Sequence, residues 1–279
     1  MKKLKVNLHI TQHCNYKCRY CFAQFREKQD LPTAEWHRII DNIEESGLVD
    51  SINFAGGEPV LYKGFPDLVD YAWQKGFHLS IISNGSMLLD PKRMPPQLFQ
   101  KFEMLGISVD SLKPATLRSL GCCNPQGRVL DMERLRRLIQ TAKRENPKLR
   151  IKLNTVVTNL NMNEQLSSSG ATLPIERWKF LKMKLFEEGT FSNRELMISD
   201  EAFARFLQQN PVKGDASVTE YSLKRSYIII DNRGNLIDND NDNYTVIGSL
   251  LEEPFSDVFH RYAFDRDAYE SRYPLQAAV

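Results

Sequence analysis

The segment His13–Phe22 reads HCNYKCRYCF and holds Cys14, Cys18 and Cys21 in the spacing Cys-x3-Cys-x2-Cys. Three thiolates in one tight loop make an incomplete ligand set. Iron–sulfur cubanes are normally held by four thiolates, one per iron. Held by three, a cluster leaves one iron open to bind something else. The spacing therefore points to a metal centre built to react. Two blander readings stay open on the thiols alone. A structural zinc site usually takes four Cys or His ligands, often as two separated pairs. His9 or His13 could supply a fourth, but no second Cys-x2-Cys pair follows downstream. A disulfide with one spare thiol would suit a secreted chain.

Upstream of the loop, Val6, Leu8 and Ile10 alternate with Asn7, His9 and Thr11, which predicts a strand running straight into the cysteines. Downstream, Pro32 and Thr33 open a helix carrying Trp36, Ile39, Ile40 and Ile43, closed at Gly47. Further strands are expected at 51–55, 78–83, 105–109, 151–157 and 178–185, with helices at 65–74 and about 130–145. Strands alternating with helices argue for βαβ units and a parallel sheet. Six such units make an open sheet or an incomplete barrel; periodicity does not separate the two. Either way, ligands gather at the carboxyl ends of the strands. The cysteine loop, Gly56-Gly57-Glu58-Pro59, Ser83-Asn84-Gly85 and Val109-Asp110-Ser111 all fall there. Each alone is an ordinary turn, and their shared edge is the signal.

From about residue 186 the pattern is less regular. A capped helix is expected at 199–209, and two short strands bracket Asn232-Arg233-Gly234 as a hairpin. The expected division is 1–185 as a barrel and 186–279 as an extension folded over its open end, with a mobile close at PLQAAV. The net charge of +2 argues for no nucleic-acid or membrane partner. Five cysteines, an odd number, and no secretory leader suggest a reducing compartment, hence a cytoplasmic protein. No stretch reaches the roughly 20 apolar residues of a membrane span.

Polar groups on otherwise buried strand faces form the next signal. Asn7 and His9 share a face of the first strand, Lys152 and Asn154 a face of the fifth, and Arg177 and Lys179 sit two apart at the start of the sixth. Buried cations are costly unless paired. If these faces point inward, a bound polyanion is their natural partner, since Lys and Arg are standard phosphate ligands. If either strand is an edge, the same groups sit in water.

HCNYKCRYCF, with Tyr20 and Phe22 flanking the third cysteine, resembles the cluster loop of radical S-adenosylmethionine (SAM) enzymes, and INFAGGEP resembles their SAM-binding turn. More narrowly, IKLNTVV, ERWKFLKMKLFEEG, SDEAFARFL and SYIIID are similar to segments of the viperin-like family, and the matching segments run from residue 7 to about 231. The resemblance implies a partial (βα)6 barrel. It implies a 4Fe–4S cluster on Cys14, Cys18 and Cys21, with SAM on the open iron. Gly56, Gly57 and Glu58 would meet the SAM amino-acid portion, and Ser83, Asn84, Ser108 and Asp110 the rest of SAM. Asn7, His9, Lys152, Asn154, Arg177 and Lys179 would line the pocket for a nucleoside triphosphate (CTP, UTP or GTP), and Tyr227 would close over it. The implied reaction is a radical SAM lyase step. A 5′-deoxyadenosyl radical takes the ribose 4′ hydrogen, and loss of the 3′ hydroxyl as water leaves a 3′-deoxy-3′,4′-didehydro nucleotide, an antiviral RNA chain terminator. A flavodoxin- or ferredoxin-like electron donor and a monomer are expected with it.

The chain departs from the family in places. A lysine often precedes INF; here it is Ser51, which weakens one expected triphosphate contact. LGCCNPQG replaces a Gly-Arg-Gly-type loop, so an arginine contact to SAM is missing or displaced to Arg128, and Cys122 and Cys123 are read as spare loop thiols. Animal members carry an N-terminal amphipathic membrane helix; this chain begins at the first strand, which predicts a soluble protein or a trimmed one. Two other functions compete. One is a radical SAM enzyme acting on a peptide or in cofactor synthesis, disfavoured because such maturases usually carry extra cysteines in a C-terminal extension. The other is a non-catalytic metal-binding module.

Overall fold

Val6 and Leu8 point into an apolar layer while Asn7 and His9 point to the other side, so the strand Leu4–His9 (β1) has one face of each kind. The same division repeats along Val49–Ala55 (β2), His78–Ser83 (β3), Phe102–Ser108 (β4), Arg150–Val157 (β5) and Arg177–Lys182 (β6). These six strands are parallel and adjacent in chain order. The computed structural model describes residues 3–21, 29–188, 191–212, 217–218, 224–239 and 244–272. Phe22 and the PLQAAV terminus lie outside the described residues.

The outer face is sealed by helices whose apolar stripes match it. Trp36, Ile39, Ile40 and Ile43 recur at helical spacing on Thr33–Glu45 (α1), and all four are fully buried. Phe65–Gln74 (α2) covers β2 and β3, and Met132–Glu145 (α4), capped by Asp131 accepting from the Arg134 amide at 2.9 Å, covers the crossover to β5. A short helix, Pro114–Ser119 (α3), precedes α4.

The (βα)6 expectation needs one correction of detail. Between β3 and β4 the chain forms only a 3-10 turn, Pro96–Lys101, and no α-helix. Pro95 and Pro96 explain this: a proline cannot donate the helical hydrogen bond, and it disfavours helical geometry in the residue before it.

After β6 come Glu187–Glu188 (β7) and Phe191–Ser192 (β8), a small antiparallel pair. Leu166–Gly170 (α5) lies before β6, and Asp200–Gln209 (α6) follows with its Ser199 cap bonded to the Ala202 amide. The remaining strands join the main sheet. Ser217–Val218 (β9) pairs with β6. Ile228–Ile230 (β10) pairs parallel to β1, and Asn235–Asp238 (β11) and Thr245–Ser249 (β12) continue antiparallel beyond it. The expected hairpin around Asn232-Arg233-Gly234 is therefore present, as β10–β11. The result is one open ten-stranded sheet, ordered β12-β11-β10-β1-β2-β3-β4-β5-β6-β9. Residues after 186 add strands to both edges of the core sheet. Phe255–His260 (α7) and Arg266–Arg272 (α8) pack behind this region, where the Tyr269 hydroxyl accepts from the Lys5 amide of β1 at 2.8 Å.

Candidate active site

The cysteine loop is held from two sides. On one side its backbone docks on the segment after α3: the Lys17 amide donates to the Gly121 carbonyl at 3.1 Å and the Arg19 amide to the Leu120 carbonyl at 3.0 Å. The approach is so close that a Cβ at Gly121 would fall 2.1 Å from the Lys17 carbonyl oxygen. Cys14 and Cys18 pack with Tyr16, Leu117, Leu120 and Val129 in a small apolar cluster. On the other side lies the Gly56-Gly57-Glu58 turn. The Gly57 amide donates to the Thr11 carbonyl at 2.7 Å and the Glu58 amide to the His13 carbonyl at 2.8 Å. The turn is thus zipped to the stretch that feeds the cysteines.

The donor set suits a cluster. Cys14, Cys18 and Cys21 are free thiols on one loop. Among the described residues no three Cys, His, Asp or Glu side chains gather as a single-ion site; a cubane instead takes one thiolate per iron, a wider arrangement. The Cys14 sulfur accepts from the Tyr16 amide at 3.4 Å and from Asn84 Nδ2 at 3.7 Å. Burial pushes its thiol up to about 11, with the Tyr16 amide opposing the rise and the nearby Glu58 adding to it. A bound cation reverses that penalty, because it favours the thiolate.

Glu58 joins the turns after β2 and β3. Its fully buried carboxylate accepts from Ser83 Oγ at 2.7 Å and from the Asn84 amide at 2.8 Å. Burial raises its pKa to about 7, with these donors working against the rise. Asn84 in turn donates to Asn15 at 3.0 Å and accepts from Ser86 Oγ at 2.5 Å. Glu58 and Ser83 thereby place Asn84 beside Cys14; both side chains are themselves enclosed.

Asp110 is enclosed in the same way. Its carboxylate accepts from the Tyr20 hydroxyl, from the Val156 amide at 2.7 Å and from the Cys122 thiol at 3.7 Å. Burial raises its pKa to about 6 against these bonds. Tyr20 also meets the Cys122 sulfur at 3.2 Å. This links the cysteine loop, the end of β4 and β5. Cys122 is thus a buried partner of the loop, whereas Arg128 is exposed.

The other expected residues line the inner face of the sheet. The register sets Lys152 beside Arg177, and Ser108 beside Asn154 beside Lys179. Lys179 is only 3% exposed. Burial first, then Lys179, Arg177 and Lys5, depress the Lys152 ammonium to about 8, with Tyr227 opposing. Half-buried Tyr227 leads into β10, and its carbonyl accepts from the Tyr262 hydroxyl at 3.0 Å. Asn7 belongs to a ladder across four strands: Ser80 Oγ donates to Asn53 at 3.0 Å, Asn53 to Asn7 at 2.9 Å, and Asn7 to the Ile228 carbonyl at 3.1 Å. Sequence reasoning missed Lys5, Asn53, Ser80 and Gly121, and gave Tyr20 no bond to Asp110. Lys5 had a visible signal, since it shares the Asn7 face at period two.

His9 is buried on this wall, and burial lowers its pKa from 6.5 to about 4. Above pH 6.5 it is neutral whether folded or unfolded. As pH falls below 6.5, the unfolded chain takes up a proton that the folded chain refuses, so stability is lost toward pH 4. At pH 5 this loss is about 2 kcal/mol. Glu58, with its raised pKa, acts oppositely between about 7 and 4.5 and masks part of the effect. His9→Asn isolates it. Its stability relative to the native protein, from urea midpoints, should improve by about 2 kcal/mol between pH 8 and pH 5. An equal difference at both pH values would mean that His9 titrates normally.

A parallel sheet, a three-cysteine loop at the end of its first strand and a glycine turn locked to that loop define a radical SAM protein. The Radical SAM superfamily model matches residues 8–164. The chain is 54% identical over 269 residues to an S-adenosylmethionine-dependent nucleotide dehydratase of Selenomonas ruminantium, covering 96% of this chain and 98% of that one. It is 31% identical over 291 residues to one from Psychrobacter lutiphocae, covering 98% and 95%. Streptococcus suis SuiB bound to S-adenosylmethionine shares the fold, with a TM-score of 0.66 at 16% identity over 99% of this chain and 68% of that one. The chain belongs to the radical SAM superfamily and, within it, to the viperin-like S-adenosylmethionine-dependent nucleotide dehydratases. It is an enzyme whose family works with a 4Fe–4S cluster and SAM. Among the described residues no helix is long and apolar enough to cross a membrane.

Proposed function

We propose that this chain converts a nucleoside triphosphate to its 3′-deoxy-3′,4′-didehydro analogue. The observation that carries the reading is the row of cations on the inner wall, Lys152, Arg177 and Lys179 on two adjacent strands. Cations held in a poorly solvated wall favour a polyanion, and a triphosphate supplies one.

Cys14, Cys18 and Cys21 would hold the cluster, and Gly56, Gly57, Asn84 and Ser108 would border SAM. Bound together, cluster and SAM supply a carbon radical able to take a hydrogen atom from ribose. The residues of this chain contribute placement. Asn154, Arg177 and Lys179 anchor the phosphates, so the ribose faces the cysteine loop. The Asn7–Asn53–Ser80 ladder keeps the wall rigid beneath it. Tyr227, from the 186–279 extension, closes the pocket beside Lys152 and excludes water. Neutral His9 offers a hydrogen bond without adding charge. A product without the 3′ hydroxyl cannot be extended by a polymerase, which suits a role in antiviral defence.

The expected working unit is a monomer. The reaction needs an external one-electron donor of flavodoxin or ferredoxin type. The free thiols agree with a reducing, cytoplasmic setting.

Anaerobic turnover with reductant, SAM and each nucleoside triphosphate tests the reading. One triphosphate should stimulate 5′-deoxyadenosine formation and yield a product lighter by one water. Lys179→Ala should keep the slow SAM cleavage seen without substrate and lose that stimulation at least tenfold, about the value of one charge-assisted hydrogen bond. If no triphosphate stimulates cleavage, the substrate class is wrong. If Lys179→Ala responds as the native enzyme does, the pocket is elsewhere.

A further inference from the structure

The inner wall carries a further cation, on a different strand from Lys152, Arg177 and Lys179. Lys5 lies on β1 two residues before Asn7 and four before His9, so all three share the inner face. Its register partner on β2 is Ser51, whose hydroxyl donates to the adjacent Asp50 at 2.7 Å. Lys5 is close enough to Lys152 of β5 to lower that ammonium, and close enough to Tyr227 to be influenced by it. Burial lowers Lys5 itself, as does Arg150, while Glu103 and Asp50 oppose the shift. Glu103 is already engaged by His78 and Arg150 at the outer rim.

The strand geometry gives this cation a direction. The cysteine loop stands at the carboxyl ends of the strands, and Lys5 sits about 13 Å toward the amino end from His9. A nucleotide whose ribose faces the cysteines runs its phosphate tail down the wall toward this end. Ser51 and Lys5 are neighbours across one strand spacing, about 4.8 Å. A long flexible ammonium side chain from either position sweeps the same space.

We infer that Lys5 is a binding residue for the terminal phosphates of the substrate, reaching them from β1 beside Ser51 of β2. This rests on the triphosphate reading above. Together with Lys152, Arg177 and Lys179 it makes the pocket discriminate by phosphate number. The cations on β5 and β6 hold one side of the tail and Lys5 the other.

The test is equilibrium binding of nucleoside tri- and monophosphates to the cluster-loaded enzyme with SAM present. Lys5→Ser should weaken triphosphate binding at least tenfold and leave monophosphate binding within threefold. Adding Ser51→Lys to Lys5→Ser should restore triphosphate affinity to within threefold of native, because the ammonium returns to the same space from the neighbouring strand. Unchanged triphosphate affinity in Lys5→Ser would overturn the inference and leave Lys5 as a partner of Asp50 and Glu103. Equal losses for both nucleotides, or no rescue by Ser51→Lys, would overturn it too, since either marks a structural defect. Failure of the native enzyme to bind any triphosphate would instead reject the substrate reading itself.

Discussion

Cys18→Ala should purify without the brown colour of a cluster, with iron reduced to background, and with SAM cleavage down by at least a thousandfold. Three thiolates are the whole protein contribution expected at the cubane, and removing one leaves two irons without a protein ligand. The chain should still fold. The residues that seal the sheet, such as Leu8, Trp36 and Phe54, lie on its other face, and Cys18 belongs to a small satellite cluster around the loop. An unchanged far-ultraviolet circular dichroism spectrum would separate loss of the cluster from loss of the fold. Cys122 bears on the interpretation because it packs beside Cys18. Its sulfur is engaged by the Tyr20 hydroxyl at 3.2 Å and the Asp110 carboxylate at 3.7 Å, which commits it to bracing the loop. Cys122→Ala should therefore keep its iron, and Cys18→Ala with Cys122→Ala should behave as Cys18→Ala alone. A brown, SAM-cleaving Cys18→Ala protein would reject the ligand assignment.

The cysteine loop was readable because its chemistry is local: three ligands within eight residues need no knowledge of the fold. β1 and α1 were readable because each carries a strict period, two for Val6 and Leu8, and three to four for Trp36, Ile39, Ile40 and Ile43. The inward polar residues of β5 and β6 followed from the same alternation. What stayed hidden depends on distant pairing. Nothing local in SYIIID says that Ile228–Ile230 will lie parallel to β1, over two hundred residues earlier. The Glu58 brace joins the turns after two different strands, and Asp110 joins the end of β4 to Tyr20 and β5. As bare motif letters these carboxylates resemble ligands. Only the fold reveals that hydrogen bonds and burial already occupy them. Lys5 is hidden for a simpler reason. Beside Lys2 and Lys3 it resembles part of a solvated basic terminus, although its position two before Asn7 places it on the wall.

That dependence on distant pairing makes the glycine turn the point where one methyl group should do the most damage. Gly57→Ala is expected to cost about 2–4 kcal/mol of stability and to weaken SAM binding by at least tenfold. A Cβ at Gly57 would stand 2.4 Å from the His13 carbonyl oxygen, 2.7 Å from the His13 carbonyl carbon and 2.9 Å from the Gln12 carbonyl carbon. All three atoms are backbone, so no side chain can swing aside. The two segments must part by nearly 1 Å to reach ordinary contact distance. They are joined by the Gly57 and Glu58 amide bonds at 2.7 and 2.8 Å, which such a shift would stretch or break. Overpacking contributes about 1–3 kcal/mol and the weakened backbone bonds about 1 kcal/mol more. The displacement would pass in two directions, to Cys14 through the Thr11–His13 stretch and to Ser83 and Asn84 through Glu58. Binding of SAM to the cluster-loaded protein, read beside the urea midpoint, tests both consequences. Lys17→Ala, an exposed position in the same loop, should move neither. A Gly57→Ala enzyme with native SAM affinity would show that the turn and the cysteine loop are not mechanically joined.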